Sequence, residues 1–405
     1  MHIPQVYYSV EEIILWVGIL LLICILGSKI GEKLGIPAIL LFLFLGMLAG
    51  SDGPGGIPFD DPWIAQLLGV IALTYIIFSG ALSTKKESIK PILWSGIVLS
   101  TIAVLGTALI VALIAFVFFK IPIIKGLLVG AIVSSTDAAA VFSILRAKKM
   151  GLKYNLKPLL EFESGSNDPM AAILSLGIIK LITDSSCHWH NLIILLVQQS
   201  IIGILFGYGF GKLIAFTLNK LKLEYEGLYA VLTLTMVLFI YGLTTMVNGS
   251  GFLAVYIAGL VIGNSNIAKK EAILQFHDGI SWLMQIVMFL VFGLLVFPDR
   301  LPGVIFPGTI LALTVIFIAR PISVYISLWF SKMNFKEKTM VAWVGLRGAT
   351  PLILATFPFI NNMPKADIVF DIIFFSVIVS ILIQAPTIPM VARWLGVAKT
   401  EKEAV

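Results

Sequence analysis

Charge is what this chain has least of. Only 12% of its 405 residues are Asp, Glu, Lys or Arg, and its mean hydropathy is +1.02. A soluble globular domain, about a quarter charged, is excluded on that ground. Cysteine is nearly absent as well, and Cys24 and Cys187 alone exclude a disulfide-built fold. The first ten residues carry no Lys or Arg, and Glu11 and Glu12 follow. A cleaved signal peptide needs a positive start, so the first apolar run is expected to be retained. There is no nucleotide-binding Gly-Lys loop and no zinc-type His/Cys cluster within an apolar run. No cofactor is expected.

What is present is apolar sequence: 59% of residues are hydrophobic, with 27 Phe and 35 Gly. The runs recur from end to end, each near the length that crosses roughly 30 Å of hydrocarbon. The pattern reads as an all-α polytopic membrane protein. Thirteen segments are expected, at 10–30, 37–50, 63–82, 92–119, 123–145, 159–182, 191–218, 227–247, 251–263, 276–297, 303–330, 339–358 and 367–393. The second and ninth are short. An odd count puts the termini on opposite faces. With the N-terminus outside and the C-terminus cytoplasmic, the inner loops hold twenty of the 28 Lys and Arg and the outer loops four. That asymmetry follows the positive-inside rule. The net +6 is thus a topology signal, and no nucleic-acid partner is implied.

Some charges fall inside the segments. Lys180, Lys212, Glu161 and Asp371 lie near segment ends, where a side chain reaches the interface. Asp137, Asp168, Arg320 and Arg347 lie 9, 11, 12 and 9 residues from the nearest cytoplasmic charge. At about 1.5 Å per residue all four sit near the membrane midplane. Glu163 lies about one and a half turns shallower. Each would cost several kcal/mol alone, so pairing or a wet cavity is expected. Ion pairs that merely hold the bundle together are the plainer reading, but they leave the adjacent helix breakers unexplained.

Those breakers are SSTDAAA in segment 5 and GLRGATP in segment 12. Ser134, Ser135 and Thr136 can bond back to the backbone and loosen the first. Gly345, Gly348 and Pro351 interrupt the second. Two broken helices, one in each half, point to an inverted-repeat transporter. Their freed backbone groups can bind ions where they line a cavity. Segment 6 contains FESGSNDPMA, residues 162–171. If it is helical, Glu163 and Asn167 are i,i+4 neighbours, as are Ser164 and Asp168. Ser164 and Asp168 are expected to face the break at Asp137, with Glu163 and Asn167 turned toward whatever carries Arg320. Pro169 has no N–H and should free a carbonyl near Gly165. Oxygen donors alone suit a hard monovalent cation. An Asp that holds either a cation or a proton is an exchanger in its simplest form. A cation channel is the first rival reading, but a continuous pore needs no pair of broken helices. An intramembrane aspartyl protease is the second. Its two carboxyls must share a proton and activate water, whereas here Asn167, Ser164 and Arg320 surround them.

GAIVSSTDAAAVFSIL, FESGSNDPMA, FIARPISV and WVGLRGATPLILATFP together resemble the NhaP-type branch of the monovalent cation:proton antiporters. Within it, the chain looks most like the potassium/proton antiporters of bacterial inner membranes, the CvrA group. The resemblance spans nearly the whole chain, including MLAGSDGPGGIPF and GSGFLAVYIAGLVIGN. It implies exchange of K+ and/or Na+ for H+ by alternating access across the inner (plasma) membrane, in the service of pH homeostasis. It implies that Asp137 and Asp168 are the cation- and proton-binding carboxylates. Thr136 would offer a backbone carbonyl, Ser164 a hydroxyl, and Asn167 would be the Asn of an Asn-Asp pair. Glu163 and Arg320 would brace the site as an ion pair, and Arg347 matches the Arg of the second broken helix. The family's fold implies a homodimer. A core domain (about 92–182 and 303–393) would move against a dimer domain (about 10–82 and 227–297), joined by a linking helix at 191–218. Electrogenic relatives carry a second Asp where this chain has Asn167, so electroneutral 1:1 exchange is expected. Potassium-type relatives carry a soluble region after the last span. Here residues 396–405 are expected to form a short cytoplasmic tail with no regulatory domain.

Three further features have plain and sharper readings. Cys187, His188 and His190 in CHWH could bind zinc, or could form a polar interfacial loop. His277 and Asp278 could be a pH-sensitive pair, or a helix-start Asp beside an exposed His. Gly203, Gly207 and Gly211 recur at i,i+4 and suit close helix packing.

Overall fold

Helices fill the apolar runs, because in hydrocarbon a segment must satisfy its own backbone donors and acceptors. The computed structural model describes residues 9–34, 37–184, 188–221 and 223–399. In chain order the main helices are α1 (Val10–Leu34), α2 (Ala38–Ala49), α3 (Pro62–Ser83) and α4 (Leu93–Phe119). Then come the half-helices α5a (Ile123–Ile132) and α5b (Ala138–Ala147), followed by α6 (Leu156–Thr183) and α7 (Trp189–Lys220). Next are α8 (Glu226–Met246), α9 (Gly251–Gly263), α10 (Lys270–Leu294) and α11 (Pro298–Ser327). The half-helices α12a (Phe335–Trp343) and α12b (Ala349–Ile360) and the long α13 (Ala366–Trp394) complete the chain.

Local chemistry sets these boundaries. Asp61 accepts from the N–H groups of Trp63 and Ile64, and Pro62 opens α3. Asn334 and Glu337 form a reciprocal capping box at the start of α12a. Between α8 and α10, Glu226 pairs with the exposed Lys269 ahead of α10, and that hydrogen bond and charge raise the lysine pKa above its ordinary value.

Among the described residues, eight helices are long and apolar enough to cross a membrane: α1, α3, α4, α7, α8, α10, α11 and α13. The sequence leads to an expectation of thirteen such segments, and the shortfall has physical causes. α2 and α9 have only 12 and 13 residues, and the fifth and twelfth segments are each split in two. α6 has 28 residues but carries Glu161, Glu163, Asp168 and two lysines. The start of α10 also differs. The apolar pattern places it at 276, yet the helix begins at Lys270. The expected all-α class holds, apart from a two-residue antiparallel pair of Gly151–Leu152 with Ala398–Lys399.

Packing divides along the chain. α10 lies on α2 and α3, α9 on α3, and α7 on α9. α4 lies on α5a, α5a on α6, and α11 and α12b on α13. The expected close approach at Gly203, Gly207 and Gly211 is present. A Cβ at Gly207 would stand 2.5 Å from the Ala254 carbonyl oxygen of α9. The two groups of helices meet where α12b crosses α3 and α6 touches α9.

Candidate cation and proton site

The fifth segment breaks where its hydroxyls compete for the backbone. Ser134 Oγ donates to the Ala131 carbonyl at 2.6 Å, and α5a has ended at Ile132. Asp137 then caps α5b, accepting from the Ala140 N–H at 3.0 Å. The twelfth segment breaks over residues 345–348. The two breaks cross in contact. A Cβ at Gly348 would fall 2.1 Å from Asp137 Oδ2, so glycine is what permits the approach.

Each break supplies what the other lacks. The Asp137 N–H donates to the Leu346 carbonyl at 2.8 Å. Arg347 Nη1 donates to the carbonyls of Ser134 and Ser135 at 2.9 and 2.7 Å. Those carbonyls have lost their helical donors, and the buried guanidinium replaces them. α13 steadies the second break in turn. Ser380 Oγ accepts from the Arg347 N–H and donates to Gln384, whose Nε2 donates to the Trp343 carbonyl.

α6 runs past the crossing unbroken through Pro169. Ser164 Oγ donates to the Thr136 carbonyl at 2.7 Å and accepts from the Ala138 N–H at 3.1 Å. Asp168 Oδ1 accepts from the Ser135 hydroxyl. Both side chains therefore face the break, as their spacing requires. Asn167 does too, which differs from the expectation that it would turn toward Arg320. Its Nδ2 donates to Thr136 Oγ1 at 2.7 Å and its Oδ1 accepts from the Thr136 N–H at 3.4 Å. Spacing along α6 gives the order of the side chains around the helix, but not the angle at which the broken helix meets it.

Glu163 does meet Arg320, with Oε1 and Nη1 at 2.5 Å and both residues buried. Arg320 Nη2 also donates to the Val341 carbonyl at 3.3 Å. A π-helical turn at Val315–Ala319 directly precedes Arg320-Pro321. The proline cannot donate back along the helix, and the wider turn absorbs that loss.

A cavity of about 750 Å³ reaches this crossing. Ser135, Thr136, Asp137, Ser164, Asp168 and Thr350 line its inner end, and Arg146, Lys148, Glu161 and Asp278 line its mouth. Glu163, Asn167, Arg320 and Arg347 stand behind that lining. Three carboxylates and two guanidiniums meet here, a formal excess of one negative charge when all five are ionised. Burial makes that excess costly until one cation or one proton neutralises it. The oxygens that could hold a cation at this crossing are the carboxylates of Asp137 and Asp168, the Ser164 hydroxyl and the Thr136 carbonyl. Among the described residues, no three His, Cys, Asp or Glu side chains gather as a metal site.

Other side chains depart from expectation. His277 is buried rather than exposed, and its Nε2 lies 2.8 Å from Thr233 Oγ1. It sits two turns inside α10, a depth that the apolar pattern hides by placing the helix start too late. Asp371 is buried instead of reaching the interface. Lys180 and Lys212 are exposed as expected. His188 and His190 stack at 5.6 Å, while Cys187 and the tail beyond 399 lie outside the described residues. Sequence reasoning does not single out Ser135 as a partner of Asp168, or Thr350 as its neighbour in the cavity lining. The one available signal for Ser135 is its place in the same loosened run as Asp137.

Residues 18–394 match the family described as sodium/hydrogen exchanger, transmembrane. The K(+)/H(+) antiporter NhaP of Alkalimonas amylolytica is 41% identical over 387 residues, 96% of this chain and 67% of that protein. The Na(+)/H(+) antiporter 1 of Methanocaldococcus jannaschii is 31% identical over 375 residues, 88% of this chain and 86% of that protein. The solved structure of the sodium proton antiporter MjNhaP1 from that organism, at pH 8, superposes with a TM-score of 0.81 at 28% identity. It covers 94% of this chain and 98% of its own. With two broken helices crossing at buried carboxylates, and the match running almost end to end, the chain belongs to the transmembrane sodium/hydrogen exchanger family.

Proposed function

We propose that this integral membrane protein exchanges a monovalent cation, K+ or Na+, for a proton by alternating access across a bacterial inner membrane. The observation that carries the reading is the pair of aspartates, Asp137 and Asp168, at the crossing of two broken helices and in the lining of one cavity, a formal excess of one negative charge over the site's guanidiniums. Asp168 and Asp137 hold a cation there, helped by Ser164 Oγ and the Thr136 carbonyl. A proton on Asp168 removes the charge that holds the cation, so the two occupants compete. Glu163 and Arg320 brace α6 against α11, Asn167 fixes Thr136, and Arg347 keeps the first break open.

One cation for one proton, with no net charge moved, follows from one excess negative charge. Thirteen crossings also follow if α2, α6, α9 and the paired half-helices each traverse the membrane. The N-terminus is then outside, and the cavity mouth at Arg146 and Lys148 faces the cytoplasm. Phe292 of α10 and Phe359 of α12b pack against the Phe370 ring of α13, at 6.4 and 6.0 Å. A cavity that reaches the two aspartates and ends there suits alternating access better than a continuous pore. The moving core is α4–α6 with α11–α13, the scaffold is α1–α3 with α8–α10, and α7 links them. A homodimer formed through the scaffold, and a place in the CvrA group of potassium/proton antiporters, complete the reading. The test is ion-resolved exchange in everted vesicles with Na+, K+, Li+ and Rb+. Proton movement on adding K+ or Na+ supports it, and none with any of the four overturns it.

A further inference from the structure

Ser135 stands where three helices meet. Its hydroxyl donates to Asp168 on α6, and its carbonyl accepts from Arg347 of the second break at 2.7 Å. It is 1% exposed. A second hydroxyl, that of Thr350 in the first turn of α12b, is buried and lines the same cavity. Both residues line the cavity beside Asp168. Asp168 is thus tied to the first broken helix by the Ser135 hydroxyl and shares the cavity with a hydroxyl of the second.

A hydroxyl donates one hydrogen, offers two lone pairs and turns about its C–O bond. Facing a carboxylate, it donates. Facing a protonated carboxyl, it accepts. Facing a carboxylate that holds a cation, it can turn a lone pair to the ion. We propose that Ser135 and Thr350 are positioning residues for Asp168, whose hydroxyls hold the carboxylate between the two breaks and turn as a cation gives way to a proton. The occupant of Asp168 is thereby felt at once by α5 and α12. The inference rests on the cation–proton reading of the site.

Loss of either donor leaves the Asp168 charge less well held, so the proton wins the site more easily. The other charged groups of the site remain in place: Asp137 from α5, Glu163 from α6 itself, Arg320 from α11 and Arg347 from α12. The experiment is sodium-dependent proton movement by the full chain in proteoliposomes, at one acidic and one alkaline pH. Ser135→Ala and Thr350→Val should each raise the apparent KM for Na+ about tenfold at acidic pH, with the maximal rate held within about twofold. The penalty should shrink at alkaline pH, where protons no longer compete. Ser135→Thr and Thr350→Ser should restore the KM to within about threefold. If Ser135→Ala does not accumulate, Ser135→Cys, a weak donor, should give an intermediate KM. An unchanged KM, a loss confined to the maximal rate, or hydroxyl-bearing variants as impaired as the apolar ones would overturn the proposal. A wild-type protein that moves no protons on adding Na+ or K+ would instead overturn the exchange reading beneath it.

Discussion

At the scale of the residue, the site is a solution to burying five ionisable groups inside an apolar bundle. Glu163 and Arg320 settle two of them by direct pairing, although such pairs seldom add stability over apolar packing. Breaking the pair is what costs. Glu163→Ala or Arg320→Ala strands a buried charge, a penalty of about 3–5 kcal/mol, and should lower the folded yield more than the cation affinity of whatever survives. The double substitution should recover part of the yield, as measured by size-exclusion chromatography of the solubilised protein. A double variant no better folded than either single one would show that the pair is not coupled. These residues are legible in the sequence because charges in apolar runs are costly wherever they sit. Counting from the nearest loop charge gives their depth. It does not give their azimuth, and the surroundings of Asn167, Ser135 and Asp371 escape the sequence for that reason.

At the scale of the element, both breaks can be read from short polar and glycine-containing stretches at the centre of apolar runs. The α6 face can be read from i,i+4 spacing. The π-helical turns at Leu99–Ala103 and Val315–Ala319 cannot. A π turn leaves no compositional mark, since it answers a neighbour's shape. Pro321 is a hint, but a proline inside a helix admits several local remedies. The Gly203-Gly207-Gly211 stripe is legible because only small residues allow two backbones so close. Gly207→Ile should push α7 off α9, at a cost of roughly 1–3 kcal/mol from overpacking. It should lower the thermal midpoint of the purified protein while leaving the apparent KM for the cation near wild type. An unchanged midpoint would mean that α7 yields to the added side chain.

At the scale of the whole molecule, the balance of charge becomes a transport property. In the proposed exchange, protons and cations compete for one excess negative charge, so lowering the pH should raise the apparent KM for the cation and alter the maximal rate far less. A site that cycles between one cation and one proton carries the same charge in both directions. Its rate in voltage-clamped proteoliposomes, with sodium as substrate and potassium-free buffers, should barely respond to voltage. A steep response would reveal a second proton carrier, with Glu163 the first suspect. The membrane class and the broken-helix plan can be read from composition and spacing alone. The number of membrane crossings is less legible, because α2 and α9 are short, the fifth and twelfth segments are split and α6 is charged, so apolar length does not mark them as the other helices are marked. The proposed exchange rests on Asp137 and Asp168 as the place where cation and proton trade. Its most direct test is cation-induced proton movement in proteoliposomes holding wild-type protein, Asp137→Asn or Asp168→Asn, each checked for insertion. In Asp137→Asn the side-chain amide oxygen can still cap α5b, and neither change strands a charge. Exchange in the wild type and its loss in both inserted variants is the predicted result; cation-dependent proton movement retained in both would contradict it.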